Sequence, residues 1–162
     1  PCIAECGGFL YLNETLETPE KERFPMCGVI AGNGFGTGKL CRFGYMTLTA
    51  QKDTMLAAKG ETIRAHEFHY WNSDNIGADY EITKASDNTA ASGGYGTDTL
   101  YAGFPHIYFY GNEAAAKRFL KACEMYHENN IKDVHAIILW HGRKKRLFIE
   151  FSRNWQRLGR TG

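Results

Sequence analysis

The 162 residues carry 19 Lys and Arg against 18 Asp and Glu, a formal net charge of +1, with 43% hydrophobic and 23% charged residues. That length fits one domain with a real core, and the near-neutral balance argues against nucleic-acid binding by the whole chain. No apolar run approaches the roughly 20 residues that span a bilayer, and no signal-peptide pattern appears. Five cysteines without a CxxC pair point to a reducing, cytosolic compartment.

In chain order, CIAE (2–5) reads as a short buried strand. Gly7 and Gly8 punctuate it, and in FLYLNETL the residues Phe9, Leu12 and Leu16 fall on one helical face. TPEKERFP (18–25) is a polar, proline-bounded loop. CGVIAG (27–32) reads as another buried strand, and the glycine-rich NGFGTGK after it as a flexible connection. RFGYMTLTA (42–50) and ETIRAHEFHYW (61–71) are expected strands, separated by the polar QKDTMLAAKG (51–60). ADYEITKA (78–85) alternates like a half-buried strand, SDNTAASGGYGTD (86–98) is a loop, and AGFPHIYFY (102–110) is aromatic and extended. Asn112 is placed to cap a helix, NEAAAKRFLKACEMYHEN, with Ala116, Phe119, Leu120, Cys123 and His127 on one stripe. VHAIILW and RLFIEF flank HGRKK and read as a hairpin, with a basic tail beyond. Strands interleaved with helices over the first three quarters argue an α/β fold.

Three motifs invite chemistry. GNGFGTGKL resembles a phosphate loop, but GxxxxGK[ST] needs Gly at position 33 and Ser or Thr at position 40, where Asn33 and Leu40 stand. A zinc site from Cys2, Cys6, His66 and His69 fails on geometry. Four residues of strand hold the two cysteines about 13 Å apart, and His66 and His69 face opposite ways in an extended HEFH. No metal is therefore expected.

Cys6 is different. A strand that ends in a nucleophile, followed by small residues and a helix, is the nucleophile-elbow arrangement. The glycines let substrate and backbone come close, and a helix N-terminus offers N–H groups to a thiolate and to a developing oxyanion. Cys2, mid-strand, has none of this. The plainer reading of Cys6 is a buried structural cysteine at a tight turn. A cysteine nucleophile wants a histidine nearby; His66 and His106 are the informative candidates, and spacing alone does not choose between them.

AECGGFLYL, RFPMCGVIAG, RFGY, IRAHEFHYW and AGFPHIYF, in this order, resemble the glutamine amidotransferase domain of cobyrinic acid a,c-diamide synthases, of the class I Cys–His type. The resemblance runs from Pro1 to about residue 125. It implies a flavodoxin-like sheet with flanking helices over 1–127, missing its N-terminal strands, with residues 128–162 as an additional hairpin and basic tail. It implies Cys6 as nucleophile, His106 as catalytic histidine and the backbone of Gly7 and Gly8 as oxyanion donors. Tyr108, Glu67, His66, His69 and Arg64 become pocket or positioning candidates.

The implied substrates are glutamine and a corrinoid or related tetrapyrrole. No cofactor is expected in this chain, and ATP and Mg²⁺ belong to an upstream synthetase domain. The chain is accordingly expected to be one piece of a longer polypeptide, incomplete in sheet and oxyanion hole, with a homo-oligomer left open.

Tyr108 stands where relatives carry a second histidine and other class I enzymes a glutamate; a neutral phenol does not balance an imidazolium charge. Ala31, Ala65 and Trp71 are further departures. Arg143, Lys144, Lys145, Arg146, Arg153, Arg157 and Arg160 read either as a solvated end or as a contact for an acidic partner. The alternatives to a glutaminase are a non-catalytic assembly module of the same fold, or an amidotransferase of the cobyric acid synthase or nickel-sirohydrochlorin type.

Overall fold

The computed structural model describes residues 1–129 and 137–139. Along the chain run β1 (Cys2–Glu5), α1 (Gly7–Leu12), β2 (Thr15–Glu17), β3 (Arg23–Pro25), β4 (Asn33–Gly36), β5 (Arg42–Ala50) and β6 (Thr62–His69). There follow β7 (Trp71–Ser73), β8 (Tyr80–Lys84), β9 (Ala90–Gly93), β10 (Tyr95–Gly96), β11 (Leu100–Gly103) and β12 (His106–Ile107). A 3-10 turn (Phe109–Gly111), α2 (Glu113–Asn129) and β13 (Ile137–Leu139) complete the described elements. The architecture is α/β with mixed sheets and few helices. Among the described residues no helix is long and apolar enough to cross a membrane.

Among the described residues three sheets divide the work. In the first, ordered β10-β11-β1-β13, β1 lies parallel to both β11 and β13. Flanked on each side, its Ile3 and Ala4 are fully buried, which is why CIAE is apolar without alternation. The second, β12-β6-β5-β8-β9, is antiparallel and built on the long β5–β6 ladder from Arg42↔His69 to Thr49↔Thr62. Here Met46 and Leu48, Ile63 and Ala65 alternate inward, as period-two burial on one face requires. The third, β3-β2-β4-β7, packs beside α1.

Several expectations yield to tertiary structure. The helix predicted through Leu16 stops at Leu12, because Asn13 turns its amide back on the helix. Nδ2 donates to Phe9 O at 2.9 Å, and Oδ1 accepts Ser73 Oγ at 2.6 Å; Leu16 therefore lies in β2. The strand predicted over 27–32 is a loop. Gly28 adopts φ +63, Val29 is 63% exposed, and the amides of Gly28 and Ile30 bond to Asn13 and Leu12 carbonyls rather than to a ladder. The glycine-rich connection holds the strand instead. β4 fits beside β2 because a Cβ on Gly34 would stand 2.7 Å from Leu16 Cδ1.

The polar-looking 51–60 loop buries Met55, Leu56 and Ala57 in the core, and the loop over 86–98 supplies β9 and β10. The far end of 102–110 closes into the 3-10 turn. On α2, Ala115 and Phe119 are buried while Leu120 is 60% exposed and His127 is solvent-facing, so the packed stripe is rotated from the predicted one. Asn112 spends its side chain on β6, its Oδ1 accepting Arg64 N–H and its Nδ2 donating to Arg64 O, rather than capping. The first strand of the predicted hairpin includes β13; RLFIEF and the basic tail lie outside the described residues.

Candidate active site

β1 delivers its chain to Cys6 in a conformation few L-residues adopt, φ 50 and ψ −105. Such a backbone costs on the order of 1–3 kcal/mol and persists only where its surroundings hold it. Two bonds do so. Cys6 N–H donates to Gly103 O at 2.8 Å, and Cys6 O accepts Leu10 N–H at 3.0 Å. The turn lifts the sulfur out of the β1 line at the start of α1, where Gly7 and Gly8 stand. Their N–H groups belong to the first helical turn, which has no intrahelical acceptors and no side-chain cap.

The same bond to Gly103 explains how a histidine one hundred positions away arrives. β11 runs parallel beside β1 in the register Glu5↔Gly103, so both strands end at one level. Phe104 and Pro105 then carry the chain across to β12, where His106 pairs with His66 of β6. The His106 ring meets Cys6 and Glu5. The sulfur first, then the Glu5 carboxylate, raise the imidazole from 6.5 to about 9 against the lowering effect of burial. A histidine and a cysteine in contact put a base beside a nucleophilic atom.

Glu5 is the residue that sequence reasoning passed over. It is 6% exposed, its Oε1 accepts Ile107 N–H at 2.8 Å, and its Oε2 stands 3.6 Å from His106 Nδ1. The available signal was a carboxylate closing an otherwise apolar strand, a group that must find a partner when buried.

The remaining candidates divide. His66 lies across the ladder from His106, but its ring packs edge-on against Phe43 and Tyr45 on the outer face of β6. Arg64 contributes its backbone, bridged to Asn112 and to Tyr108 N–H. Tyr108 is 62% exposed and its ring lies against Tyr110 rather than against the imidazole.

Glu67 and His69 share the inner face, as alternation predicts, in a cluster of their own. Arg42 Nε lies 3.0 Å from Glu67 Oε2, and His69 Nε2 lies 3.8 Å from the same oxygen. His69 stacks on Phe104 at 3.9 Å, with Nδ1 2.7 Å from Trp71 O. Neither Glu67 Oε2 nor His69 Nε2 has a hydrogen-bond partner among the described residues.

The model of the CobB/CobQ-like glutamine amidotransferase domain matches residues 1–114. The chain is similar to the cobyrinate a,c-diamide synthase of Caldanaerobacter subterraneus subsp. tengcongensis, 34% identical over 128 residues, covering 78% of this chain and 28% of that protein. The protein of the same name from Listeria monocytogenes serovar 1/2a is 37% identical over 128 residues, 76% of this chain and 28% of its own length. That from Limosilactobacillus reuteri is 36% identical over 127 residues, 74% and 28% respectively. The chain thus spans about 28% of the length of these curated relatives. On the extent of that match, this chain belongs to the CobB/CobQ-like glutamine amidotransferase domain family.

Proposed function

We propose that this chain is the glutaminase part of an ATP-dependent cobyrinate a,c-diamide synthase, supplying ammonia for amidation of side-chain carboxylates on a corrinoid. The observation that carries the reading is Cys6 itself: a cysteine at φ 50 on a strand-to-helix turn, with His106 raised to about 9 beside it. The finer fold reading, a flavodoxin-like arrangement, rests on the parallel β11-β1-β13 strands and a reactive group at their carboxyl ends, where open α/β sheets place ligands.

The chemistry runs in two halves. The Cys6 thiolate attacks the side-chain amide carbon of glutamine, and the tetrahedral oxyanion is received by backbone N–H groups, those of Gly7 and Gly8 foremost. The imidazolium of His106 gives its proton to the departing nitrogen, so ammonia leaves and a thioester remains on Cys6. Neutral His106 then takes a proton from water as the water attacks the thioester; glutamate leaves and the thiolate–imidazolium pair is restored.

ATP and Mg²⁺ belong, on this reading, to an adjoining synthetase domain; the glycine-rich segment of this chain lacks the phosphate-loop residues at 33 and 40. The reading is tested by glutamate release from glutamine in the full-length chain. Wild type releases glutamate and Cys6→Ser loses about 10³-fold or more of the rate, as loss of a nucleophile does; undiminished release by Cys6→Ser would remove it.

A further inference from the structure

We propose that Glu5 is the positioning residue of the Cys6–His106 pair. Its carboxylate holds the His106 ring from the Nδ1 side with one oxygen and fixes β12 through Ile107 N–H with the other. The inference rests on the glutaminase reading and names the acid that the reading leaves open. Tyr108, two residues beyond His106, is exposed and packs on Tyr110. Glu67 lies on the inner face of β6 with Arg42 and His69. Among the described residues, Glu5 is the carboxylate that pairs with His106.

The physical case begins with cost. A carboxylate whose side chain is 8% exposed needs partners for its charge, and Glu5 has two, on consecutive residues. Ile107 N–H at 2.8 Å occupies Oε1, which sets the carboxylate plane. His106 Nδ1 at 3.6 Å faces Oε2, an ion-pair separation of the kind that tightens when substrate closes a site. A carboxylate on that side keeps the proton on Nδ1 and leaves Nε2 as the nitrogen that exchanges protons with sulfur and substrate. The backbone does the rest. Glu5 and Cys6 are adjacent, so the strained turn that aims the sulfur also fixes the acid relative to the base.

Among the described residues, Cys6 and Glu5 face this centre from the β1–α1 junction, while His66, the register partner of His106, turns its ring to Phe43 and Tyr45. Tyr101 of β11 lies beneath, its phenol pushed well above the ordinary range by burial and then by the charge of Glu5. It stays neutral, and its hydroxyl donates to Pro105 O at 3.0 Å.

The test uses the full-length chain. Glu5→Gln keeps an acceptor for Ile107 N–H, removes the charge and puts an NH2 donor where an oxygen faced His106 Nδ1. The expected result is a kcat for glutamate release lowered about 10- to 100-fold, with KM for glutamine within about twofold. The basic limb of the pH–rate profile moves down from about 9. A purely structural Glu5 leaves that limb where it is. The second measurement needs no Glu5 variant to fold: histidine spectra of isotope-labelled Cys6→Ser. With the sulfur gone, burial lowers the His106 midpoint and Glu5 remains to hold it above 6.5.

A Glu5→Gln enzyme with unshifted limb and wild-type kcat, or a Cys6→Ser ring titrating at 6.5 or below, overturns the proposal. Failure of the underlying reading looks different. A wild-type chain that releases no glutamate removes the glutaminase while the His106 titration still reports whether Glu5 holds the ring.

Discussion

Two histidines among the described residues stand beside a glutamate at nearly the same distance, in surroundings of opposite kind. His106 and Glu5 are 3.6 Å apart, His69 and Glu67 3.8 Å. His69 is stacked on Phe104, held at Nδ1 by Trp71 O and sealed from solvent, with Arg42 answering Glu67 from the neighbouring strand. His106 keeps part of its ring open and has for a neighbour the sulfur of Cys6, a residue at φ 50. On the proposed reading a His–Glu pair is not a catalytic signature by itself; what sets the His106 pair apart is a cysteine neighbour and an opening to solvent. The His69 pair reads as architecture tying β5, β6 and the β11–β12 crossing into one wall.

That contrast is broken most forcefully by removing one histidine's function and the other's support. His106→Ala is expected to lower kcat for glutamate release by about 10²- to 10⁴-fold, the usual worth of a positioned acid–base group, with secondary structure intact by circular dichroism. The raised ring also has a stability consequence. The folded state binds the His106 proton up to about 9 against 6.5 in the unfolded chain. The contribution is thus whole below 6.5 and disappears as pH climbs to about 9. Thermal melts through that window should decline in wild type and decline less in His106→Ala.

Glu67→Ala acts on the other pair. It leaves Arg42 partly buried without its carboxylate, a loss of about 3 kcal/mol for a broken buried ion pair, read as a lower denaturant midpoint. Purified folded protein should keep its pH–rate profile. If Glu67→Ala instead shifts that profile while stability holds, the division between the two pairs is wrong.

Asn13→Ala sharpens the boundary of the active turn. It strips Phe9 O and Ser73 Oγ of a buried partner, at about 1–3 kcal/mol, measured by urea unfolding. Tyr108→Phe has the smallest expected effect. The ring is exposed and directed at Tyr110, so kcat and the pH profile should stay within about twofold of wild type; a larger change would bring the phenol back to the imidazole.

Long, alternating segments were legible. β5 and β6 announce themselves because eight or nine residues of period-two burial leave no helical alternative, and β1 because an apolar tetrapeptide before two glycines has few other readings. Short elements were not. β9 is AASG and β10 is YG; neither has apolar periodicity, and both exist because β8 and β11 offer them edges. The 27–32 run carries Val29, Ile30 and Ala31 and imitates a strand, while Gly28 turns the backbone away and the ladder forms one step later at Gly34. α1 ended early through a buried Asn13–Ser73 bond sixty positions apart, which no local pattern encodes.

For the site, the elbow around Cys6 was readable from its residue types. His106 was reached through the resemblance, because its meeting with Cys6 depends on β11 lying parallel beside β1. Glu5 was in plain sight within AECGG and went unread, since a strand-ending carboxylate ordinarily faces water and this one is folded under β12.

Modification by a glutamine-like diazoketone, located by peptide mass mapping in the full-length chain, tests most directly whether Cys6 and His106 act as one unit. The account predicts a single adduct on Cys6, absent in Cys6→Ser and formed more slowly in His106→Ala. Equal labelling at Cys2 or Cys41, or labelling of Cys6 at an unchanged rate without His106, would contradict it.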